Sequence, residues 1–215
     1  MLYVCPVNTL LNDFISSFQS TGWLEYLAVF TGILSVWFSK KENVWVYPIG
    51  LINTIIYVYL SAKASLFGES MVNGYYTIMG VYGWWSWAQK DRHTNVQVLH
   101  ISQSDRSVLL FQCLFFLMLF IGFFFMLTYL QTNFYPGTIP WADSLATASA
   151  FTGMWLMTRK KMESWYWWML TNLISIPLYI YKGYALTGVY YVVLFFLAIA
   201  GLRSWTKKLS QSTVS

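Results

Sequence analysis

The sequence predicts an all-α membrane protein of seven transmembrane helices, on three observations: its composition, the sidedness of its basic residues and an internal repeat. Of 215 residues, 57% are hydrophobic, 20% aromatic and only 10% charged. Soluble domains carry roughly 25% charged residues, so this composition excludes an ordinary water-exposed surface. A hydrocarbon layer ~30 Å thick is crossed by about 20 apolar residues in a helix.

Taken in chain order, residues 1–22 read as an outer N-terminal segment in which Leu10, Leu11, Phe14, Ile15 and Phe18 recur at helical spacing over 9–19. That pattern predicts a short interfacial helix. A weak apolar run without a basic start argues against a cleaved signal peptide. Spans follow at 23–38, 44–62 and 71–88, a first three-helix unit over 23–88. A polar loop, 89–106, leads to a linking helix at 107–130, whose run from Val108 to Leu130 is uncharged and apolar all round. Spans at 142–158, 164–181 and 185–203 form a second unit over 142–203, followed by a tail at 204–215. The first and fifth spans are weak by hydropathy and rest on the charge pattern and the repeat.

Cytoplasmic loops of inner-membrane proteins collect Lys and Arg. With the N-terminus outside, Lys40, Lys41, Lys90, Arg92, Arg106, Arg159, Lys160, Lys161, Arg203, Lys207 and Lys208 all fall inside, 11 of the 13 basic residues. Only Lys63 and Lys182 fall outside, and six or eight helices would scramble the separation. The net charge of +5 is therefore topology and not nucleic-acid binding. Cys5 and Cys113 are placed on opposite sides of the bilayer, so no intrachain disulfide is expected.

At an offset of 121 residues, Phe30-Thr31-Gly32 matches Phe151-Thr152-Gly153, Lys40 matches Lys161, Glu42 matches Glu163, Gly80 matches Gly201 and Trp84 matches Trp205. Both copies start outside, so the repeat is parallel, and the fourth helix restores the orientation. Parallel repeats about an axis along the membrane normal are a transporter architecture with a site near the midplane.

Ionisable residues at membrane depth mark ion and proton pathways, and the spans carry almost none. Glu69, Lys63 and Lys182 sit at helix ends, while His93 and His100 belong to the polar loop. No metal ligand set, nucleophile–base pair or HExxH motif is present, which argues against an enzyme, a metal site or a bound cofactor. No mid-membrane Lys is available for a retinal Schiff base. The polar groups at depth are amides, hydroxyls and aromatic N–H or O–H groups, which suit an organic ligand carried passively. Trp165, Trp168 and Asn172 lie three and four apart and share one face of the sixth helix. Two indoles beside an amide could stack and orient an aromatic ring. Asn73, in the run Asn73-Gly74-Tyr75-Tyr76, adds a second amide with Tyr76 close by in the third helix. Trp84, Trp85 and Trp87 fit a belt or packing role. Pro48 and Pro177 are candidate hinges, since proline frees a carbonyl within a helix.

The WxxWxxxN pattern of Trp165, Trp168 and Asn172, with Tyr82-Gly83-Trp84 and Trp155-Leu156-Met157-Thr158-Arg159-Lys160, resembles the PnuC family of bacterial vitamin transporters over residues 25–208. That resemblance implies a 3+1+3 fold similar to SWEET sugar transporters, a homotrimer in the inner membrane, and facilitated diffusion of a small vitamin trapped by a cytoplasmic kinase. It implies nicotinamide riboside as substrate, with thiamine or riboflavin carried by other members. It also implies that the third and sixth helices bind the vitamin, Asn73 standing where some members have Gln.

The sidedness of the basic residues makes a direct prediction. A C-terminal fluorescent fusion should be bright inside the cell, whereas an active phosphatase fused after Ser215 would contradict the orientation.

Overall fold

Seven helices make up the described residues, which are 22–63, 67–91, 97–133 and 139–212 of a computed structural model. They are α1 (Trp23–Lys40), α2 (Val46–Lys63), α3 (Phe67–Ala88), α4 (Arg106–Asn133), α5 (Pro140–Thr158), α6 (Ser164–Tyr181) and α7 (Ala185–Ser212). Among these residues there is no strand beyond two isolated bridges. The segment predicted at 9–19, Cys5 and His93 lie outside them.

Each predicted span has its helix, with two extensions. The third starts at Phe67 rather than 71, and the seventh runs on to Ser212 through what the sequence reads as a tail. Charge ends the hydropathic run at Arg203, but Trp205 is fully buried and anchors the extra turns. Pro48 stands in the first turn of α2. A missing N–H is harmless there because the first four N–H groups of a helix have no internal partner. Pro177 does lie inside α6, where the Leu173 carbonyl loses its helical donor.

Six helices close a ring. Neighbours in contact are α1 with α2, α2 with α3, α3 with α5, α5 with α6, α6 with α7, and α7 with α1. Exchanging α1, α2 and α3 for α5, α6 and α7 leaves this order unchanged. The backbone of α4 stands outside the ring against α5 alone. Its apolar residues have no preferred face, so nothing directs more than one side of it inward. Gln112, which is buried, accepts the Trp167 indole N–H at 3.1 Å and ties α4 to α6. By length and hydropathy α4 and residues 186–211 of α7 can cross a membrane, yet only 6% and 17% of their apolar windows are buried. Core helices of a soluble protein would be mostly buried. Apolar surface on this scale calls for a solvent other than water.

The densest core is at the end that carries the basic residues, called here the basic end. Tyr47, Trp87, Met157, Trp165, Ala198 and Trp205 form it. Its contacts come in pairs 118 positions apart, the separation that also joins Ser39 to Met157 and Glu42 to Lys160. Tyr47 meets Trp87 edge-on at 5.2 Å, and Trp165 meets Trp205 edge-on at 5.3 Å. Trp87 donates its indole N–H to the Met157 carbonyl at 3.2 Å, and Trp205 donates to the Ser39 carbonyl at 3.0 Å. A Cβ on Gly83 would overlap the Tyr47 ring, and one on Gly201 would overlap Trp165. The contacts therefore equate Gly83 and Trp87, not Gly80 and Trp84, with Gly201 and Trp205. The matching Phe-Thr-Gly runs are not equivalent in space either. Gly32 faces Asn53 and Tyr190, whereas Gly153 faces Trp167 and Trp168.

A polar latch covers this core. Lys160, fully buried, donates to Glu42 Oε1 (2.9 Å), Gln97 Oε1 (2.9 Å) and the Leu99 carbonyl (2.8 Å), and its ammonium stands 4.8 Å over the Trp87 ring. Lys208 holds the other Glu42 oxygen at 3.0 Å. Glu42 and Lys160 both have positive φ, 60° and 50°. Glycine would relax that backbone, so residues with long charged side chains at both places point to a need for the side chains themselves. Glu163 accepts from the Ser104 N–H and hydroxyl, and Lys161 reaches Ser102, which clamps the α3–α4 loop to the α5–α6 turn.

The latch sets a stability order. Burial raises the Glu42 pKa, but hydrogen bonds from Lys160 and Lys208 outweigh this and hold it below the usual carboxylate value. A depressed folded-state pKa stabilises above the unfolded value, ~4.3, and that stability fades as pH falls through the folded value. Glu42→Gln should flatten this acid limb in melting curves of detergent-solubilised protein. Glu42→Gly should still destabilise, by roughly 1.5–3 kcal/mol for the lost charged hydrogen bonds, despite its easier backbone. Adding Lys160→Met should recover part of the loss by removing the stranded ammonium.

Candidate functional site

Away from the basic end the packing loosens around aromatic side chains. Tyr76 of α3, Tyr57 of α2 and Tyr190 and Tyr191 of α7 each keep part of their surface open to water although protein surrounds them. Side chains in that situation border solvent-reached space between the helices. Tyr191 stacks on Tyr179 of α6 at 5.2 Å and lies 5.7 Å from Tyr190. These tyrosines were not singled out from the sequence. Their signal is that Tyr57, Tyr76, Tyr190 and Tyr191 stand more than a turn from either helix end, too deep for an interfacial belt.

The sixth helix delivers two of the predicted residues to one place. Trp168 lies across Gly153 of α5, where an added Cβ would come within 3.4 Å of the indole. Its ring centroid is 6.3 Å from that of Tyr76, whose ring in turn lies 6.0 Å from Phe151. Phe151 stacks on Tyr75 at 3.8 Å, and Tyr75 donates its hydroxyl to the Phe151 carbonyl. Tyr76 and Trp168 are thus fixed through α3 and α5. Asn172, one turn along α6 from Trp168, is 3% exposed, and its amide has no hydrogen-bond partner among the described residues. Its N and O atoms are not sealed from solvent as the orphan groups of Tyr47 and Trp165 are, so water or a ligand can satisfy them. The arrangement offers ring faces and an amide with both donor and acceptor capacity.

The other predicted residues lie elsewhere. Trp165 belongs to the basic-end core, packed on Trp205 and over Gly201, and is 1% exposed. The Asn73 amide turns back to the Glu69 carbonyl at 2.9 Å, and no contact among the described residues joins it to Trp168 or Asn172. Trp87 is buried as a packing residue, whereas Trp84 and Trp85 are exposed. Asn53, which the sequence reading passed over, donates to the Ala28 carbonyl at 2.6 Å beside Gly32 and Tyr190. Lys182 pairs with Asp143 at 2.7 Å, between α5 and the end of α6.

Comparison with known proteins places this geometry. The family model described as nicotinamide mononucleotide transporter matches residues 22–207. The nicotinamide riboside transporter PnuC of Escherichia coli (strain K12) is 23% identical over 207 residues, covering 86% of this chain and 85% of that protein. The riboflavin/roseoflavin transporter RibM of Streptomyces davaonensis is 21% identical over 192 residues, covering 87% and 86%. The crystal structure of the vitamin B3 transporter PnuC superposes with a TM-score of 0.69 at 20% identity, over 95% of this chain and 90% of that one. At that identity the superposition speaks to fold alone. With a family model spanning nearly all of the described helices, the chain belongs to the nicotinamide mononucleotide transporter family.

Proposed function

We propose that the chain is a facilitator that carries nicotinamide riboside across the bacterial inner membrane, binding it in the chamber between Trp168, Asn172 and Tyr76. The observation that carries this reading is the Asn172 amide, in a nearly buried residue, without a protein partner among the described residues and not sealed from solvent, one turn from an indole that faces Tyr76. A flat aromatic ring can stack on Trp168 while a ligand amide or hydroxyl meets Asn172. Asn73 reaches the ligand by turning from the Glu69 carbonyl, and Trp165 forms the floor of the site. Thiamine is the second reading, since it also offers a flat cationic ring with amine and hydroxyl groups. Riboflavin is the lesser alternative, and the 21% identity to RibM is what supports it.

In this reading the two three-helix units are parallel repeats joined by α4, a 3+1+3 plan like that of SWEET transporters, supported by a ring order and paired contacts that survive exchange of the halves. The basic end faces the cytoplasm, the N-terminus lies outside, and the protein works as a homotrimer. A cytoplasmic vitamin kinase traps the product, and Pro177 serves as a hinge in α6.

Thermal-shift titration with nicotinamide riboside, thiamine and riboflavin should stabilise the protein with one vitamin above the others. Counterflow of that vitamin in proteoliposomes should run at full rate without sodium or pH gradients, because the carboxylates nearest the tyrosines, Glu25 and Glu69, sit in the first turns of α1 and α3 and not at membrane depth. Strict dependence on either gradient would overturn the facilitator reading.

Substitution separates the two contacts. Trp168→Ala removes a stacking plane worth roughly 0.5–1.5 kcal/mol beyond its buried area, so affinity should fall at least several-fold, and Trp168→Phe should be milder. Asn172→Ala and Asn172→Leu should be about equally damaging, by roughly 1–3 kcal/mol, if the amide bonds the ligand. A lowered melting temperature with normal affinity in the folded fraction would mean that both residues are structural.

A further inference from the structure

Two side chains in the basic-end core are anomalous in the same way. Tyr47 Oη and Trp165 Nε1 are buried polar atoms without a hydrogen-bond partner among the described residues. They occupy equivalent places, 118 positions apart like Glu42 and Lys160, each edge-on to a tryptophan and each seated over a glycine. The tryptophans beside them, Trp87 and Trp205, are satisfied by carbonyls of the opposite half. In each half, one aromatic polar group is matched and its neighbour is not. An unmatched buried group destabilises the closed form relative to any form in which water reaches it.

We propose that Tyr47 and Trp165 are the twin gate residues of transport, closing the cytoplasmic end in this state and becoming hydrated when it opens. The proposal rests on the transporter reading above. The bonds made by Trp87 and Trp205, with the Lys160–Glu42 pair, hold the closed form. The orphan hydroxyl and indole N–H weaken it, which keeps the closed and open forms close enough in free energy to interconvert. Gly83 and Gly201 are the slots that receive the two rings, since any side chain there would expel them. Trp165 thereby acquires a role distinct from that of Trp168, three residues on. Opening the ring at Trp165 also moves the start of α6, the helix that carries Trp168 and Asn172, so release and gate opening share one element.

The test uses matched deletions of one polar atom. Tyr47→Phe removes the unpaired hydroxyl with almost no change of shape. It should raise the melting temperature of the substrate-free protein and slow counterflow, by several-fold to about tenfold, tenfold corresponding to about 1.4 kcal/mol. Affinity for the vitamin should stay within about twofold, because the site itself is untouched. Trp87→Phe and Trp165→Phe remove the same volume from equally buried places, but only the first breaks a hydrogen bond. Trp87→Phe should therefore lower the melting temperature more than Trp165→Phe. A Tyr47→Phe protein with unchanged or lowered melting temperature and unchanged turnover overturns the gate, as does the reverse order of the two tryptophan variants. Wild-type protein that carries none of the three vitamins sinks the transporter reading instead, and the melting temperatures are read independently of it.

Discussion

Two indole N–H groups, those of Trp87 and Trp205, must be matched inside an apolar bundle, and each takes a backbone carbonyl from the other half of the chain. In a medium without water an unmatched donor costs several kcal/mol, so these bonds are strongly selected once the tryptophans are buried. They are also the contacts that make one ring out of two sets of three helices. Trp87 at the end of α3 grips the end of α5, and Trp205 in α7 grips the end of α1. Closure at the basic end follows from this pair.

The ion pairs lie outside this aromatic layer and act on loops. Lys160 is buried under the loops because its four-carbon stem passes over Trp87 to acceptors on two different loops, Glu42 on one and Gln97 and Leu99 on the other. Breaking the pair from one side would strand a charge, which makes the latch an all-or-none element. A transporter that changes shape must release both layers together. The unmatched groups of Tyr47 and Trp165 reduce what that release costs.

The division of labour along α6 links closure to binding. Trp165 packs in the floor, Trp168 faces Tyr76 one turn deeper, and Asn172 follows on the same face. A rigid helix cannot move its first turn without moving its second, so under the proposed reading the gate at Trp165 and the contacts of Trp168 and Asn172 would bias one another through α6. The outer face of α6 is held by Trp167 on Gln112 of α4, which adds a polar tie to the aromatic contacts of α4 with α5 and α6.

Seven spans, their order and the clustering of basic residues at one end were legible in the sequence, because hydrophobic length and charge are local properties that the bilayer reads directly. That Trp168 and Asn172 share one face of α6 was legible too, since helical spacing alone dictates it. The register between halves was not. Gly80-x-x-x-Trp84 and Gly83-x-x-x-Trp87 both match Gly201-x-x-x-Trp205, and they differ by about one helical turn. Only packing decides between them, because Gly83 receives the Tyr47 ring whereas Gly80 meets the tip of Leu51. In the same way Trp165 and Trp168 are equivalent as letters of one motif. The tertiary structure buries the first within the basic-end core and leaves the second at its edge beside Tyr76, because Gly201 of α7 lies opposite one and Gly153 of α5 opposite the other.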